Sequence, residues 1–419
     1  MKTIAVLGLG NRGSEYSLFV KYFHRSKAKI VSICDLDDIK LKRYSKKLKI
    51  DKDKVFSSAE EFFNRGTLAD AIIIATQDST HYIMAKRAME VGYKYILLEK
   101  PVSGNMNECI ELNEMAKKNN VIVVVCHVLR YSNYFGKIKE LIDSKVVGKV
   151  IAINQVENVG YFHFSHSFVR GAWRNEALSS PSILAKCCHD LDLLYWYADS
   201  EPKRVSSLGN LNYFHTENAP EGSTNFCMGG CKVKDSCPYD AEAFYITDPF
   251  WKATFIKYLT TTVFGKAKLG KEEKRAILCN GQYGRCVYRC DNDVCDYQTV
   301  SVEHENGVFT HLTMTGFSAK CIRETRVLGS LGEIVARDNG IKIMLYGQKT
   351  KVIKRGAFAL PGHVEGDIRT VKSFVKLINN ELENMKDVTT LEATLRSHKM
   401  AELAEVSRKN GGEKQDFSL

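Results

Sequence analysis

The sequence predicts an α/β protein in two parts: a doubly wound parallel sheet in residues 1–124, then an α+β half in residues 125–419 built on an open, mainly antiparallel sheet. Three observations predict it. Short apolar runs alternate with helical patterns over the first third of the chain, a glycine-rich turn follows the first run, and two Asn-Gly turns separate alternating runs in the last third.

Thr3-Ile4-Ala5-Val6-Leu7 reads as the first strand, and Gly8-Leu9-Gly10-Asn11-Arg12-Gly13 as a tight turn into a helix from Glu15 to Arg25. Strand, G-x-G-x-x-G and helix in that order form the dinucleotide-binding fingerprint of a Rossmann domain. Gly8 permits the turn, Gly10 lets backbone amides approach a pyrophosphate, and Gly13 lets the helix lie close to the strand. The helix N-terminus adds partial positive charge. The second strand, Lys29 to Cys34, ends at Asp35, which lies 22 residues beyond Gly13. A carboxylate there accepts hydrogen bonds from ribose hydroxyls and repels a 2′-phosphate, which points to NAD. Lys40, Lys42 and Arg43 follow closely and keep NADP open.

Further strands are expected at Ala71 to Ala75, Tyr95 to Leu98 and Val121 to Val125, joined by right-handed crossovers. Their unbroken apolar character implies burial on both faces. Ligands of such sheets lie beyond the carboxyl ends of the strands, where Ala75-Thr76-Gln77, His81 and Glu99-Lys100-Pro101 emerge.

In the second half, a helix from Tyr134 to Ser144 leads through Gly148 into a strand from Val150 to Val156. The next segment, Gly160 to Arg174, is dense in aromatic, histidine and arginine residues. Tyr161 and Trp173 offer ring faces to sugar C–H surfaces, while His163, His166, Arg170 and Arg174 offer donors to hydroxyls or an acidic group. Gln298 to His304 and Val308 to Met314 flank Asn306-Gly307, and Glu333 to Ala336 and Ile341 to Leu345 flank Asn339-Gly340. Both are hairpin patterns. Asp367 is expected to cap a helix from Ile368 to Leu382, with His363 before it as a substrate contact. A last helix, Thr390 to Arg408, ends at Gly411-Gly412.

Seven of the 13 cysteines fall between residues 227 and 295. Cys227, Cys231 and Cys237, with Cys286 and Cys290, are spaced so that four of the five thiolates form a tetrahedral site. Structural zinc is the first expectation for it, with free buried thiols, disulfides or an iron–sulfur cluster as the alternatives. Disulfides are disfavoured, because the chain starts directly in its first strand, consistent with a reducing cytoplasm.

At 419 residues and 44% hydrophobic, the chain has material for two domains, with a cysteine-rich insertion at about residues 213–295. No apolar run approaches the ~20 residues of a membrane span. The net charge of +11 comes from scattered lysines and a basic stretch, Lys266 to Arg275, and no nucleic-acid-binding module is recognisable.

With the glycine turn at Gly8, Gly10 and Gly13 and with Glu99-Lys100-Pro101 ending a strand, the chain resembles the glucose-fructose oxidoreductase, inositol dehydrogenase and MocA family. Ala75-Thr76, His81, Arg130-Tyr131 and His189-Asp190-Leu191-Asp192 extend the resemblance along most of the chain. It implies an NAD(P)-dependent oxidoreductase passing hydride to or from a sugar, polyol or sugar derivative. Lys100 would lie between nicotinamide and substrate hydroxyl, with His189 as acid/base and Tyr131 near the substrate. Asp192, one helical turn on, is placed to orient the His189 ring. The family also uses its open sheet for oligomer contacts. One departure stands out: many relatives carry aspartate four residues before the histidine, and here Ala185 stands there, followed by Lys186. A changed reaction therefore remains open, as a glycosidase using transient oxidation and elimination on bound NAD or as a non-catalytic dinucleotide sensor.

Overall fold

The computed structural model describes all residues except 248–259, 261, 266–268, 338–339 and 355–363. Six parallel strands form the first sheet: β1 (Lys2–Leu7), β2 (Ala28–Cys34), β3 (Val55–Phe56), β4 (Ala71–Ile74), β5 (Tyr95–Leu98) and β6 (Ile122–Val125). Their order, β3-β2-β1-β4-β5-β6, reverses direction between β1 and β4, which opens a crevice at the strand ends. Alternate residues of β1 face opposite cores. Ala5 and Leu7 pack with Phe62, Ala85 and Leu112, while Ile4 and Val6 pack with Tyr16, Val20 and Phe374. Both faces are thus covered, as the apolar runs predict.

The second sheet has nine strands: β7 (Val150–Asn158), β8 (Pro202–Asn210), β9 (Tyr297–His304), β10 (Phe309–Thr315), β11 (Ile322–Gly329), β12 (Gly332–Arg337), β13 (Gly340–Leu345), β14 (Lys351–Lys354) and β15 (Gln415–Asp416). Their order is β14-β13-β12-β11-β7-β10-β9-β8-β15, antiparallel throughout except for the β7–β10 pair. Its inner face, including Ile153, Val205, Val300, Leu312 and Val327, packs on Leu191, Leu194 and Tyr197 of the helix Cys188–Ala198. Its outer face leaves Ile151, Leu208, Tyr297 and Phe309 exposed. Both expected hairpins form as β9–β10 and β12–β13.

Three expectations need correction. The first helix runs Asn11–Phe23, four residues ahead of Glu15, because the glycine turn itself starts the helical hydrogen bonding. The helix expected from Ile368 runs Val364–Ile378 instead. Asp367 is therefore inside its first turn and pairs with Arg12 rather than capping. His363 lies outside the described residues.

The chain also returns to its beginning. Val371, Phe374 and Val375 pack against the first sheet, and the Val125 amide donates to the Thr389 carbonyl at 2.8 Å. Thr390 caps the helix Leu391–Lys409 by accepting from the Ala393 amide. Leu391 and Leu395 of that helix join the first core, whereas Met400, Ala401 and Leu403 join the second. Among the described residues no helix is long and apolar enough to cross a membrane.

Candidate active site

The glycine turn fits a dinucleotide on geometric grounds. Gly8 has φ +90°, and a Cβ there would lie 2.4 Å from the Ala75 carbonyl oxygen. A Cβ on Gly13 would lie 1.9 Å from the Gly8 carbonyl oxygen, whereas one on Gly10 would meet open space. Gly8 and Gly13 are thus required by packing, while Gly10 faces the space that a phosphate needs. The helix Asn11–Phe23 begins without a side-chain cap, so its first amides remain available to an anion. Asp35 accepts from the Leu9 amide at 2.5 Å and the Asp37 amide at 2.9 Å, which holds its carboxylate beside the turn. Lys40 lies 3.6 Å from the same carboxylate.

The other residues expected at the cofactor take more varied places. Thr76 accepts from the Thr80 hydroxyl at 2.8 Å. The buried His81 ring lies between the Pro101 and Thr76 carbonyls, at 2.6 and 3.3 Å, and so joins two loops. Glu99 accepts from the Tyr16 hydroxyl beneath the turn. Arg12 pairs with Asp367 and points to the helix Val364–Ile378 rather than outward.

Lys100 emerges from β5, and its ammonium donates to the Ala185 carbonyl at 2.9 Å. At the position where the family resemblance leads one to expect a carboxylate, the lysine is held by backbone. Ala185 ends the short helix Ser182–Ala185 just before the helix Cys188–Ala198 that carries His189, so this bond ties the end of β5 to the chain leading to His189. The buried His189 ring lies 5.6 Å, edge to face, from His127, and His127 lies 6.1 Å from His398. Sequence reasoning missed His127 and His398. His127 lies two residues beyond β6, where the strand-end rule places ligands, so a signal for it existed; His398, inside a long helix, gave none.

Asp192 is engaged from the side of Arg130. Arg130 grips its carboxylate with two hydrogen bonds, at 2.6 and 2.7 Å. Lys186 is ion-paired to the buried Glu157 at 3.1 Å, Glu157 pairs with Arg323 at 2.9 Å, and Arg323 pairs with Asp190 at 2.8 Å. Burial opposes the charge on Lys186, but Glu157 keeps it raised and cationic. The missing aspartate is therefore not answered by a free cation.

The family was decided by comparison with known proteins. Models of the "Oxidoreductase family, NAD-binding Rossmann fold" and the "Oxidoreductase family, C-terminal alpha/beta domain" match residues 2–127 and 139–414. The chain belongs to this glucose-fructose oxidoreductase, inositol dehydrogenase and MocA oxidoreductase family. It is 28% identical over 249 residues to the YteT protein of Bacillus subtilis, covering 57% of each chain. It is 31% identical over 202 residues to "Oxidoreductase P35" of Formosa agariphila, covering 45% of this chain and 61% of that one. The chain thus spans about three fifths of the length of these curated relatives. An inositol dehydrogenase homolog from Azotobacter vinelandii solved with NAD+ shares the fold at TM-score 0.67 and 17% identity, covering 99% of this chain and 97% of that one.

In this oxidoreductase the Tyr161–Arg174 segment divides by direction. Burial drives the His166 imidazole down to about 3, and its Nδ1 lies 2.8 Å from the Tyr245 hydroxyl. His163, its pKa lowered by burial and then by Lys186, lies 3.7 Å from Cys321 Sγ. Trp173 donates from its indole to Asp78 at 2.8 Å, joining this segment to the first sheet. Arg174 pairs with Asp291 at 2.9 Å. Arg170 turns away from Lys100 toward the cysteines. Tyr131 is also withdrawn, accepting from the Thr389 amide at 2.8 Å.

The tetrahedral zinc expectation is overturned. Among the described residues, no three His, Cys, Asp or Glu side chains are placed to hold one metal ion. Cys227, Cys231, Cys237 and Cys286 surround a cavity instead of meeting at a point, and Cys290 donates its thiol to the Cys286 carbonyl at 3.3 Å.

Proposed function

We propose that this oxidoreductase is an NAD-dependent dehydrogenase or reductase acting at the CH–OH carbon of a sugar, polyol or related derivative. The carrying observation is the Lys100–Ala185 bond, which joins the end of β5 to the turn before His189. Bound NAD would supply the hydride acceptor. Loss of hydride from a carbinol carbon requires the hydroxyl proton to leave, and His189 is the residue assigned to take it, since imidazole titrates near neutrality. The Lys100 ammonium stabilises the alkoxide character that develops on the oxygen. His163 and His166, held neutral, suit hydroxyl groups better than an anionic substrate.

NAD is assigned over NADP because Asp35 stands beside the turn and its nearest cation, Lys40, is already engaged with it. The exposed outer face of the nine-stranded sheet supports pairing with a second copy there, and the 13 free thiols support a reducing compartment.

The test is a Lys100→Ala variant in a nicotinamide fluorescence titration and a turnover assay across a polyol and sugar panel. NAD affinity should stay within about 3-fold while kcat falls by about 10²–10⁴-fold. Turnover equal to the unmodified enzyme would overturn the reading. A second reading, glycoside cleavage through transient oxidation, draws on the backbone contact that replaces a carboxylate at Ala185. It requires exchange of a substrate C–H hydrogen with solvent, without net change in NADH absorbance.

A further inference from the structure

Cys227, Cys231, Cys237 and Cys286 line one recess together with Arg170 and Tyr239. The recess measures about 340 Å3 counting its mouth to solvent. The fifth cysteine of the motif, Cys290, is not in the lining, and Cys279 is exposed. The fold therefore selects four of the five thiols.

Two observations say what belongs among them. Arg170 is 1% exposed, and among the described residues it forms no ion pair with a carboxylate. Its guanidinium donates to the Arg285 carbonyl at 2.7 Å, the Tyr239 carbonyl at 2.8 Å and Cys227 Sγ at 3.6 Å. A buried cation is costly unless anionic charge faces it. The recess groups that reach the Arg170 guanidinium are cysteine sulfurs, Cys227 Sγ first. A bound metal centre makes them thiolates and supplies the missing charge. Separately, residues 211–240 contain only turns, two three-residue 3-10 helices, Thr216–Asn218 and Lys234–Ser236, and one isolated bridge, Phe226 to Arg285. A loop of that length without regular structure needs something to fasten it.

A single ion does not answer, since no three donors converge. Soft sulfur donors spread around a common recess suit a centre whose own bridging sulfides span the gaps. We propose that Cys227, Cys231, Cys237 and Cys286 hold an iron–sulfur cluster that fastens the 211–240 loop to the segment carrying Cys286. The cluster is structural, and it enters by ligand exchange from a preformed cluster. Each of the four new Fe–S bonds replaces one bond between the cluster and a thiolate of its donor, the four thiol protons pass to the four departing thiolates, and no electrons change hands. Arg170 donates to the Cys227 thiolate from outside, a hydrogen bond of the kind that tunes cluster sulfurs.

The full chain, expressed with iron supplied and purified without oxygen or chelator, should contain iron and acid-labile sulfide in equal amounts and show broad visible absorption. Cys237→Ser should lose both iron and colour, and Cys279→Ser should keep them. Stoichiometric zinc without sulfide, or protein free of metal, would overturn the proposal. So would full iron content in Cys237→Ser. Should that variant prove insoluble, the metal and sulfide content of the unmodified chain decides alone. Activity is not read, so the outcome is separate from that of the dehydrogenase assignment.

Discussion

Asp35 takes hydrogen bonds from Leu9 and Asp37, so its carboxylate and the glycine turn position one another. Charged hydrogen bonds are worth about 1.5–3 kcal/mol. Asp35→Ala should therefore weaken NAD binding by roughly 10-fold or more. It should also narrow the preference over NADP, because Lys40 is released toward a 2′-phosphate. Titration with both dinucleotides checks this, and an unchanged ratio would mean that Asp35 does not face the ribose. Gly8, Gly10, Gly13 and Asp35 were legible in the sequence because their demands are local: a turn, an open approach, a close contact, a strand end. What Lys100 touches was not legible, since its partner is a backbone carbonyl 85 residues away. Arg170 and Tyr131 misled for the same reason. Their residue types suit a sugar site, but only the folded chain shows that one turns to the cysteines and the other to Thr389.

The helix Val364–Ile378 illustrates what sequence patterns give and withhold for an element. Its existence follows from apolar spacing, and its start was misplaced because Asp367 resembles a cap. In the fold, Asp367 sits in the first turn, where negative charge is favourable, and it is also the buried partner of Arg12. Breaking a buried pair costs about 3–5 kcal/mol, less here because Arg12 keeps a third of its side chain exposed. We expect Asp367→Ala to lower stability by on the order of 2 kcal/mol in denaturant unfolding, and its combination with Arg12→Met to cost less than the sum of the two single variants. Strict additivity would show that the two residues are not coupled. The short β3, Val55–Phe56, escaped the sequence reading because two residues carry no periodicity.

Over the whole molecule, several histidines are buried in neutral form. Burial pushes both His166 and His398 down to about 3, and the neighbouring His127 further depresses His398. In the unfolded chain each titrates near 6.5. Below that pH the unfolded state gains protons that the folded state refuses, so their contribution is intact above about 6.5 and declines as pH falls toward 3. Each such histidine adds a slope of about 1.4 kcal/mol per pH unit. The unfolding midpoint should drop between about pH 7 and pH 5, and His398→Gln should flatten that dependence. An equally steep profile in the variant would contradict the assignment. At this scale the two sheets and their order along the chain were legible from alternating and continuous apolar runs. The return of the last two helices to the first sheet was not, because nothing local encodes a contact between Val125 and Thr389.

That return constrains how the molecule can breathe. The helix Leu391–Lys409 is a single straight rod with one end rooted in each core, through Leu391 and Leu395 at one end and Met400 and Leu403 at the other. Swinging the halves apart as two jaws would mean snapping or uprooting that rod. The bond from Lys100 to the Ala185 carbonyl spans the same joint, so the rod also braces the setting in which that ammonium is held.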